Sequence, residues 1–293
     1  MNPRLMGIVN LNPDSFSSTP GAGSDGPEEA IAHGLRLVAD GAEVIDLGAQ
    51  SASPSTPVVP AEQELAALEP VVAALVAAGV TVSVDTYKPA VAAGVVAAGA
   101  TIVNDYSGTD DDTILDAVAG TDARFVLTHN IGPVKQRLTD PDLYDDVVVE
   151  VGDWFARRLE RFAARGIDPD RVVLDPGIDL SKTPAQTVAV LAGLAQLRER
   201  FANTLLVAIS RKDFIGTIAR AVPHDRGPGT LAALVPLTEV RDTVARVHDV
   251  AAAKQFLDVL DVLRGHAVLD RDAFLDPALY RSDGRGPDVD AAG

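Results

Sequence analysis

The sequence predicts an α/β protein that folds as a (β/α)8 TIM barrel in a single domain. Short runs rich in β-branched residues alternate with longer stretches in which apolar residues recur at i, i+3, i+4 and i+7, the patterns of strands and of amphipathic helices. Eight such pairs fit within about 265 residues, which is a usual size for this barrel. An open, doubly wound parallel sheet is the alternative that the same alternation allows.

The predicted strands are short and almost uninterruptedly apolar, as expected for parallel strands that are buried on both faces. They lie at residues 5–9, 44–47, 81–84, 101–103, 124–128, 171–174, 205–209 and 243–247. The predicted helices lie at residues 28–40, 61–78, 89–98, 112–118, 145–165, 184–201, 230–241 and 251–264. Pro89 and Pro184 support two helix starts, because a proline in the first turn removes no intrahelical hydrogen bond. Thr230 is predicted to cap the seventh helix.

The composition restricts the kind of partner that this chain can have. It has 293 residues and no cysteine, which excludes disulfide scaffolds, thiolate metal sites and cysteine nucleophiles. The 25 basic and 42 acidic residues give a formal net charge of -17, and so acidic a surface repels nucleic acids and anionic lipids. We therefore expect small-molecule substrates, with any anionic ligand held by a few clustered basic groups.

The hydrophobic pattern predicts a cytoplasmic protein without membrane contacts. The most apolar stretches, residues 71–84 and 91–103, are interrupted by polar residues before the roughly 20 residues that a membrane span needs, and no signal peptide is recognisable before the first strand. We expect residues 1–268 to form the barrel. Residues 269–293 are expected to form a partly disordered C-terminal extension, since periodic apolar residues become rare there.

A polar side chain lies at the end of every predicted strand or just after it. These residues are Asn10, Asp46, Asp85, Asn104, His129, Asp175, Ser210 with Lys212, and Arg246 with His248. In a barrel of this class the reacting groups come from the carboxyl ends of the strands and from the loops that follow them. Each residue alone is compatible with a helix cap or a loop hydrogen bond, whereas the full set predicts an active site at this rim.

Six segments at these strand ends resemble, in order and spacing, the motifs of the dihydropteroate synthase family. They are MGIVNLNPDSF, SVDTYK, IVND, LDPGI, SRKDFIG and RVHDV, and the resemblance extends from about residue 5 to residue 264. It implies a pterin-binding barrel, a transferase of folate biosynthesis that joins a dihydropterin methyl pyrophosphate to an arylamine, p-aminobenzoate, and releases pyrophosphate. It also implies Mg²⁺ as a cofactor and a homodimer.

The resemblance implies that Asp85, Asn104, Asp175 and Lys212 bind the pterin. A pterin is a flat heterocycle with adjacent hydrogen-bond donors and acceptors, which carboxylates, an amide and an ammonium group can match. Asp85 is further expected to stabilise the cation that forms when pyrophosphate leaves. From the residues alone, a helix N-cap is the alternative for Asp85, and a turn residue is the alternative for Asp175.

The resemblance places the pyrophosphate beside Arg246 and His248, which lie two residues apart and therefore point to the same face of a strand. Ser210 is expected to bind substrate with them. Asn10 is expected to donate its amide oxygen to Mg²⁺, an ion that prefers oxygen ligands and binds substrate phosphates. A loop-capping role for Asn10 and an ion pair of Arg246 with Asp249 are the alternatives. The predicted catalytic residues are Asp85, Lys212, Arg246 and His248.

The segments expected to bind p-aminobenzoate depart from the family pattern. Residues 50–55 read QSASPS where the family has Glu-Ser-Thr-Arg-Pro-Gly, so Ala52 and Ser53 replace a threonine and an arginine. Asp179 and Leu180 replace a glycine and a phenylalanine, which removes an aromatic wall and adds a carboxylate. A carboxylate near the acceptor disfavours a benzoate anion unless a cation offsets it.

The sequence leaves three hypotheses for the function. The first is a dihydropteroate synthase with a remodelled acceptor pocket, in which Ser210, Lys212 and the loop carrying Asp14 and Ser15 compensate. The second is a paralogue that binds the same pterin pyrophosphate and uses a different acceptor or is inactive. The third is a pterin- or folate-binding or methyl-transfer module, for which the pyrophosphate motifs PDSF and SRKDFIG would have no purpose.

Overall fold

The structure is a computed structural model that describes residues 2–11, 26–51, 56–109 and 111–275. Several loop residues that the sequence assigns to the acceptor side lie outside the described residues. These are Asp14, Ser15, Ala52 and Ser53. The predicted partial disorder of residues 269–293 stays a prediction, as does the predicted barrel boundary at residue 268.

Eight parallel strands form a closed barrel in the order of the chain, and the last strand pairs with the first. They are β1 (Arg4–Asn10), β2 (Val44–Gly48), β3 (Val82–Asp85), β4 (Ile102–Asp105), β5 (Arg124–Thr128), β6 (Val172–Asp175), β7 (Leu205–Ala208) and β8 (Thr243–Val247). The predicted fold class is confirmed. Several strands continue farther than predicted, through Asn10, Asp85, Asp105 and Asp175, because polar side chains at a barrel mouth are compatible with strand backbone.

The described chain contains ten α-helices and three short 3-10 helices. The α-helices are α1 (Pro27–Ala39), α2 (Ala61–Ala77), α3 (Pro89–Ala97), α4 (Val147–Ala164), α5 (Pro184–Ala192), α6 (Leu194–Arg200), α7 (Asp213–Ala219), α8 (Gly227–Ala232), α9 (Val235–Thr238) and α10 (Val250–Leu263). The 3-10 helices are Asp112–Ala117, Pro169–Arg171 and Pro223–Asp225. Most of the predicted helices are therefore present, with the exceptions described next.

The observed helices differ from the prediction after the fourth, sixth and seventh strands. The predicted helix at 112–118 is a short 3-10 helix, and the one at 184–201 is divided at Gly193 into α5 and α6. Helix α7 was not predicted. The predicted cap Thr230 lies inside α8 instead, where its hydroxyl oxygen accepts the backbone N–H of Arg211 at 3.0 Å. Its role is thus to hold the loop that follows β7.

The barrel interior is apolar at the amino ends of the strands and polar at their carboxyl ends. A buried aliphatic layer fills the lower part, formed by Met6, Val44, Ile102, Val126, Val173, Leu206 and Val244. Side chains alternate between the two faces of a strand, so residues two positions farther along point into the same interior. The polar ones among these are Asp46, Asn104, Thr128, Asp175 and Arg246. The barrel interior thus has a polar opening at the carboxyl ends of the strands, here called the mouth, and an apolar layer beneath it.

The described residues up to Leu257 form one compact unit that contains all eight strands, and Asp258 begins a second unit. Every side chain of the candidate site belongs to the first unit. Within the described ranges, no helix combines the length and the apolar character that crossing a membrane requires.

Candidate active site

The mouth of the barrel holds an arginine between two carboxylates. Arg246 on β8 donates from Nε to Oδ2 of Asp46 on β2 over 2.5 Å, and from Nη2 to Oδ2 of Asp85 on β3 over 2.9 Å. Asn104 on β4 donates from Nδ2 to the same oxygen of Asp46 over 3.1 Å. Because Asp46 is completely buried, its carboxylate fixes the positions of both Arg246 and Asn104.

The charges of this group depend on burial and on each other. Burial raises the pKa of Asp85 to about 7, while Arg246 opposes the shift and Asp46 adds to it. Burial lowers the pKa of Arg246, but the carboxylates of Asp46 and Asp85 outweigh that effect and hold it above its usual value. The guanidinium is therefore permanently charged, whereas the carboxyl group of Asp85 changes its charge near neutral pH.

Asp175 and Lys212 form the other side of the mouth. Asp175 ends β6, and its Oδ1 accepts the backbone N–H of Gly177 at 2.8 Å. Burial raises the pKa of Asp175, although the Gly177 hydrogen bond and the charge of Lys212 oppose the shift. Burial lowers the pKa of Lys212, and the carboxylates of Asp179 and Asp175 oppose that shift. The ammonium and the carboxylate thus stabilise each other's charged form.

Ser210 and His248 form a pair beside Arg246. The Nδ1 atom of His248 lies 2.9 Å from Oγ of Ser210, and the backbone N–H of His248 donates to the same hydroxyl oxygen over 3.3 Å. Burial lowers the pKa of His248 to about 4, and the charges of Arg246 and Arg211 add to the shift. At pH 7 the imidazole is therefore neutral, so it offers a bound anion a hydrogen bond rather than a positive charge.

Asn10 lies at the end of β1 and borders the same opening. A Cβ atom added to Gly48 would lie 3.7 Å from Cβ of Asp85 and 3.8 Å from Oδ1 of Asn10. Asn10 is exposed, and an amide oxygen is a suitable ligand for Mg²⁺, an ion that usually keeps several waters and binds substrate phosphates. Among the described residues, no three His, Asp or Glu side chains are grouped so that they could hold a metal ion by themselves.

The structure brings all of the predicted site residues to one mouth. They are Asn10, Asp85, Asn104, Asp175, Ser210, Lys212, Arg246 and His248. The alternative of a helix cap does not hold for Asp85, because Lys88 precedes α3. The alternative partner of Arg246, Asp249, instead accepts the backbone N–H of Ala252 in the first turn of α10 at 2.9 Å. Asp175 is both a turn residue and part of the mouth.

Two buried residues near the site were not among the predicted substrate-binding or catalytic residues. Asp46 is an aspartate within the apolar strand VIDLG, and this contrast is the signal that could have identified it. Lys182 lies with Nζ 2.9 Å from Nδ1 of His129, and it donates to the carbonyl oxygens of Gly177 at 3.1 Å and Leu180 at 3.0 Å. Burial lowers the pKa of Lys182 to about 7. Its contacts support the loop between β6 and α5.

Two lysines flank the loop that follows β2, and one of them, Lys88, forms an ion pair with the buried Glu64. Gln50 donates from Nε2 to the hydroxyl oxygen of Tyr87 over 3.1 Å, and its Oε1 accepts from Nζ of Lys88 at 2.8 Å. Lys135, from the loop after β5, donates from Nζ to the carbonyl oxygen of Ser51 over 3.0 Å. The part of this loop that departs most from the family pattern, residues 52–55, lies outside the described ranges. The positive charge at the base of this loop therefore comes from Lys135, whose hydrogen-bond acceptors there are neutral oxygens.

The chain matches known proteins over most of its length. The model of a protein family described as pterin binding enzyme matches residues 6–248. Over 265 residues the chain is 33% identical to the dihydropteroate synthase type-3 of Escherichia coli, covering 89% of this chain and 99% of that protein. The residues that the family model matches include every strand-end position of the candidate site.

Solved structures resemble the whole barrel. The structure of Xanthomonas albilineans dihydropteroate synthase with 4-aminobenzoic acid has 40% sequence identity and a TM-score of 0.80, covering 92% of this chain and 94% of that chain. The same enzyme in complex with 7,8-dihydropteroate has 38% identity and a TM-score of 0.77, covering 92% and 95%. By the family model that matches residues 6–248 and the relatives matched over most of both chains, this chain belongs to the pterin binding enzymes and, within them, to the dihydropteroate synthase family.

Proposed function

We propose that this protein joins a dihydropterin methyl pyrophosphate to p-aminobenzoate and releases pyrophosphate. The observation that carries the proposal is the mouth in which Arg246 lies between Asp46 and Asp85, next to Asn104 and Lys212. This group offers hydrogen-bond acceptors and donors to a flat heterocycle and a permanent positive charge to a leaving anion. The pterin ring and the pyrophosphate group of the substrate would thus both bind at this mouth.

The pterin ring would bind to Asp175, Asn104 and Lys212. The carboxylate of Asp175 accepts hydrogen bonds from the amino and ring N–H groups, and the ammonium group of Lys212 donates to acceptors on the ring. Asn104 is oriented by its hydrogen bond to the buried Asp46. A heterocycle without the donors and acceptors of the pterin edge would leave these buried polar groups unpaired. The site therefore discriminates strongly against other heterocycles.

The first bond change is the loss of pyrophosphate. The bond between the exocyclic methylene carbon and the pyrophosphate oxygen breaks, and the electron pair leaves with the oxygen, so the pterin becomes a cation. Arg246 donates hydrogen bonds where negative charge accumulates, and so does Nε2–H of His248 when the hydroxyl of Ser210 donates to its Nδ1, which lowers the barrier. The ionised carboxylate of Asp85 stabilises the cation. When bound, Mg²⁺ supplies further positive charge to the pyrophosphate oxygens, and Asn10 is the residue that would hold it.

The second bond change is the attack of the amine. The nitrogen of p-aminobenzoate forms a bond to the methylene carbon and then loses a proton to water, which restores a neutral product nitrogen. The benzoate carboxylate needs a cation on the acceptor side, where Ser53 has replaced the arginine of the family pattern. Lys135 provides positive charge at the base of that loop, whereas the charge of Lys88 is paired with that of the buried Glu64.

Turnover with two acceptors tests this proposal. Purified protein with Mg²⁺ and the dihydropterin pyrophosphate is given p-aminobenzoate or its uncharged analogue p-aminobenzamide, and pyrophosphate release and the coupled product are measured. We expect coupled product with p-aminobenzoate. Product with the amide alone would mean that this family member uses a different class of acceptor, and absence of product with both would contradict the proposed activity.

We also propose that the protein forms a homodimer through an apolar groove on the outer surface of the barrel unit. The groove has a volume of about 340 Å³ and is lined by side chains of α5, α7, α8 and α9, among them Val188, Leu191, Phe214, Ile218 and Pro236. Val188 is 42% exposed and Ile218 is 68% exposed. Exposed aliphatic residues that meet at one surface are typical of a contact with another chain, and a second copy would bury the same groove on both sides.

We further propose that the protein works in the cytoplasm. Its proposed pterin substrate carries a diphosphate, and a group with several charges does not cross a lipid bilayer unaided. Cell fractionation tests this location, because the protein should appear in the fraction that contains cytoplasmic enzymes.

A further inference from the structure

Asp179 has a backbone conformation that side chains rarely adopt. It lies in the loop between β6 and α5 with a φ of 60°, in the left-handed region that favours glycine. The resembling motifs have glycine at this position, which adopts the conformation without strain. A non-glycine residue persists in such a conformation only where its surroundings hold it in place.

The side chain of Asp179 connects its loop to two helices. Its Oδ2 accepts the backbone N–H of Asp213 and, at 3.3 Å, that of Phe214, which are the first residues of α7. Its Oδ1 accepts the hydroxyl of Thr187 on α5 at 3.2 Å. The first N–H groups of a helix lack partners within the helix, so the carboxylate satisfies two of them from outside.

Lys212 immediately precedes the two residues that Asp179 holds, and the charges of the two side chains act on each other. Burial lowers the pKa of Lys212, and Asp179 opposes the shift more strongly than Asp175 does. Arg246 and Asp85 are the other charges that act on this amine, the first lowering and the second raising its pKa.

The charges of Lys182 and His248 belong to the same surroundings, because Lys212 lowers the pKa of each of them. The charges that act on the Lys212 amine are thus those of Asp85, Asp175 and Asp179, which favour its protonated form, and that of Arg246, which opposes it. Among the carboxylates, Asp179 is the one whose charge does most to oppose the lowering of the Lys212 pKa.

We propose that Asp179 is a positioning residue for Lys212: it anchors the backbone that follows this lysine and supplies the negative charge that keeps its side chain protonated for pterin binding. The proposal rests on the proposed function, in which Lys212 donates to the pterin. Asp179 stands where the family motif has a glycine, and this proposal gives its carboxylate a role in pterin binding.

The titration of Lys212 in the protein without ligand tests the proposal directly. The chain has only five lysines, so NMR of protein labelled at the lysine Cε atoms resolves few signals, and Lys212→Arg identifies the one that belongs to Lys212. In Asp179→Asn we expect the Lys212 pKa to fall by about half a unit or more, because the amide keeps the shape but loses the charge. Asp179→Gly, which fits the backbone conformation, should give a shift in the same direction.

Asp213→Asn is the matched control. Asp213 is the next residue after Lys212, but its carboxylate forms ion pairs with Arg137 at 2.6 Å and with Arg226 at 2.9 Å. We expect this variant to leave the Lys212 pKa unchanged. A shift in the control equal to that in Asp179→Asn would contradict the assignment of Asp179 as the main counterion.

Calorimetry with dihydropterin methyl pyrophosphate gives the functional readout. We expect binding to Asp179→Asn to weaken at a lower pH than binding to the wild type, since its Lys212 loses the proton earlier. An unchanged Lys212 pKa in both Asp179 variants would overturn the proposal, whatever their melting temperatures. A wild type that binds no pterin would instead contradict the proposed function, while the NMR titration would still decide the role of Asp179.

Discussion

At the scale of single residues, Asp46 organises the site. It has no solvent exposure, and its carboxylate accepts hydrogen bonds from Arg246 and Asn104. Those two partners could be predicted because they stand at strand ends inside recognisable motifs. Asp46 was recognised only as a polar residue at the rim, and its role as the shared acceptor could not be predicted, because its two partners are 200 and 58 positions away in the chain.

Replacement of Asp46 by asparagine should weaken pterin binding. The amide removes the charge that faces Arg246, so the oxygen that accepts from both Arg246 and Asn104 becomes a neutral and weaker acceptor. Losing a buried, charge-assisted hydrogen bond typically costs about 2–4 kcal/mol, so we expect calorimetry with the pterin pyrophosphate to show a dissociation constant at least about tenfold higher.

Asp105→Asn is the control for that variant. Asp105 is equally buried and follows Asn104 directly, but its carboxylate accepts the backbone N–H groups of Ser107 at 2.7 Å and Thr109 at 3.0 Å. This variant should lose stability while the folded protein keeps its pterin affinity. Equal loss of affinity in both variants would show that any buried aspartate in this region has the same effect.

The ionisation of Asp85 should appear in the pH dependence of turnover. Its pKa is raised by burial to about 7, so the carboxylate that stabilises the pterin cation becomes protonated as the pH falls. Below pH 7 we expect kcat/KM to decrease about tenfold per pH unit. His248 stays neutral over this range because its pKa is lowered to about 4.

Lys182 also has a pKa of about 7, and Lys182→Met therefore serves as the control for the pH profile. The acidic limb should persist in this variant, because the group that titrates is Asp85. A wild-type profile that is flat from pH 8 to pH 5 would exclude an ionised Asp85 as a requirement for turnover.

At the scale of elements, the strands could be predicted more closely than the helices. Buried parallel strands are marked by apolar runs, and all eight were found within two residues of their observed ends. Helix α7 was missed because it has only seven residues and begins directly after the polar segment SRK. The division of the predicted helix at Gly193 was missed because the apolar pattern continues on both sides of it.

The turn after β6 makes a sharp prediction about backbone geometry. A Cβ atom on Gly177, where φ is 70°, would lie 2.0 Å from the carbonyl oxygen of His129. Gly177→Ala should therefore combine a strained φ with a clash and cost more than about 3 kcal/mol of unfolding free energy. It should also weaken pterin binding, because the Gly177 N–H is a partner of Asp175.

Gly166→Ala separates the two contributions. Gly166 has nearly the same φ, 72°, but a Cβ atom there would meet nothing within 4 Å. We expect only the conformational cost, about 1 kcal/mol, and unchanged pterin binding. Denaturant unfolding measures both variants, and equal destabilisation would mean that the contact with His129 relaxes without cost.

At the scale of the whole molecule, the barrel brings together residues from most of the chain. The order of the motifs predicted that Asn10, Asp85, Asp175 and Arg246 would meet, because the carboxyl ends of all strands lie at one rim. The acceptor side could be predicted less well. Its positive charge comes from Lys135, in a loop outside the motifs whose contact with Ser51 no local pattern indicates.

The proposed homodimer predicts a monomeric variant. Ile218→Asp places a charge in the apolar groove, at a side chain that is 68% exposed in the single chain, so the barrel itself should keep its stability. Light scattering should give twice the chain mass of 30.5 kDa for the wild type and one chain mass for the variant. Val149→Asp introduces the same charge at an exposed valine of α4 outside the groove, and this variant should remain a dimer. A monomeric wild type would contradict the proposal.

Calorimetry with dihydropterin methyl pyrophosphate tests most directly whether side chains from separate strands form one pterin pocket. The wild type should bind one ligand per chain. Lys212→Ala and Asp175→Asn should each weaken binding at least about a hundredfold, with melting temperatures close to that of the wild type. Wild-type protein that shows no binding, or variants that bind as tightly as the wild type, would contradict the pocket described here.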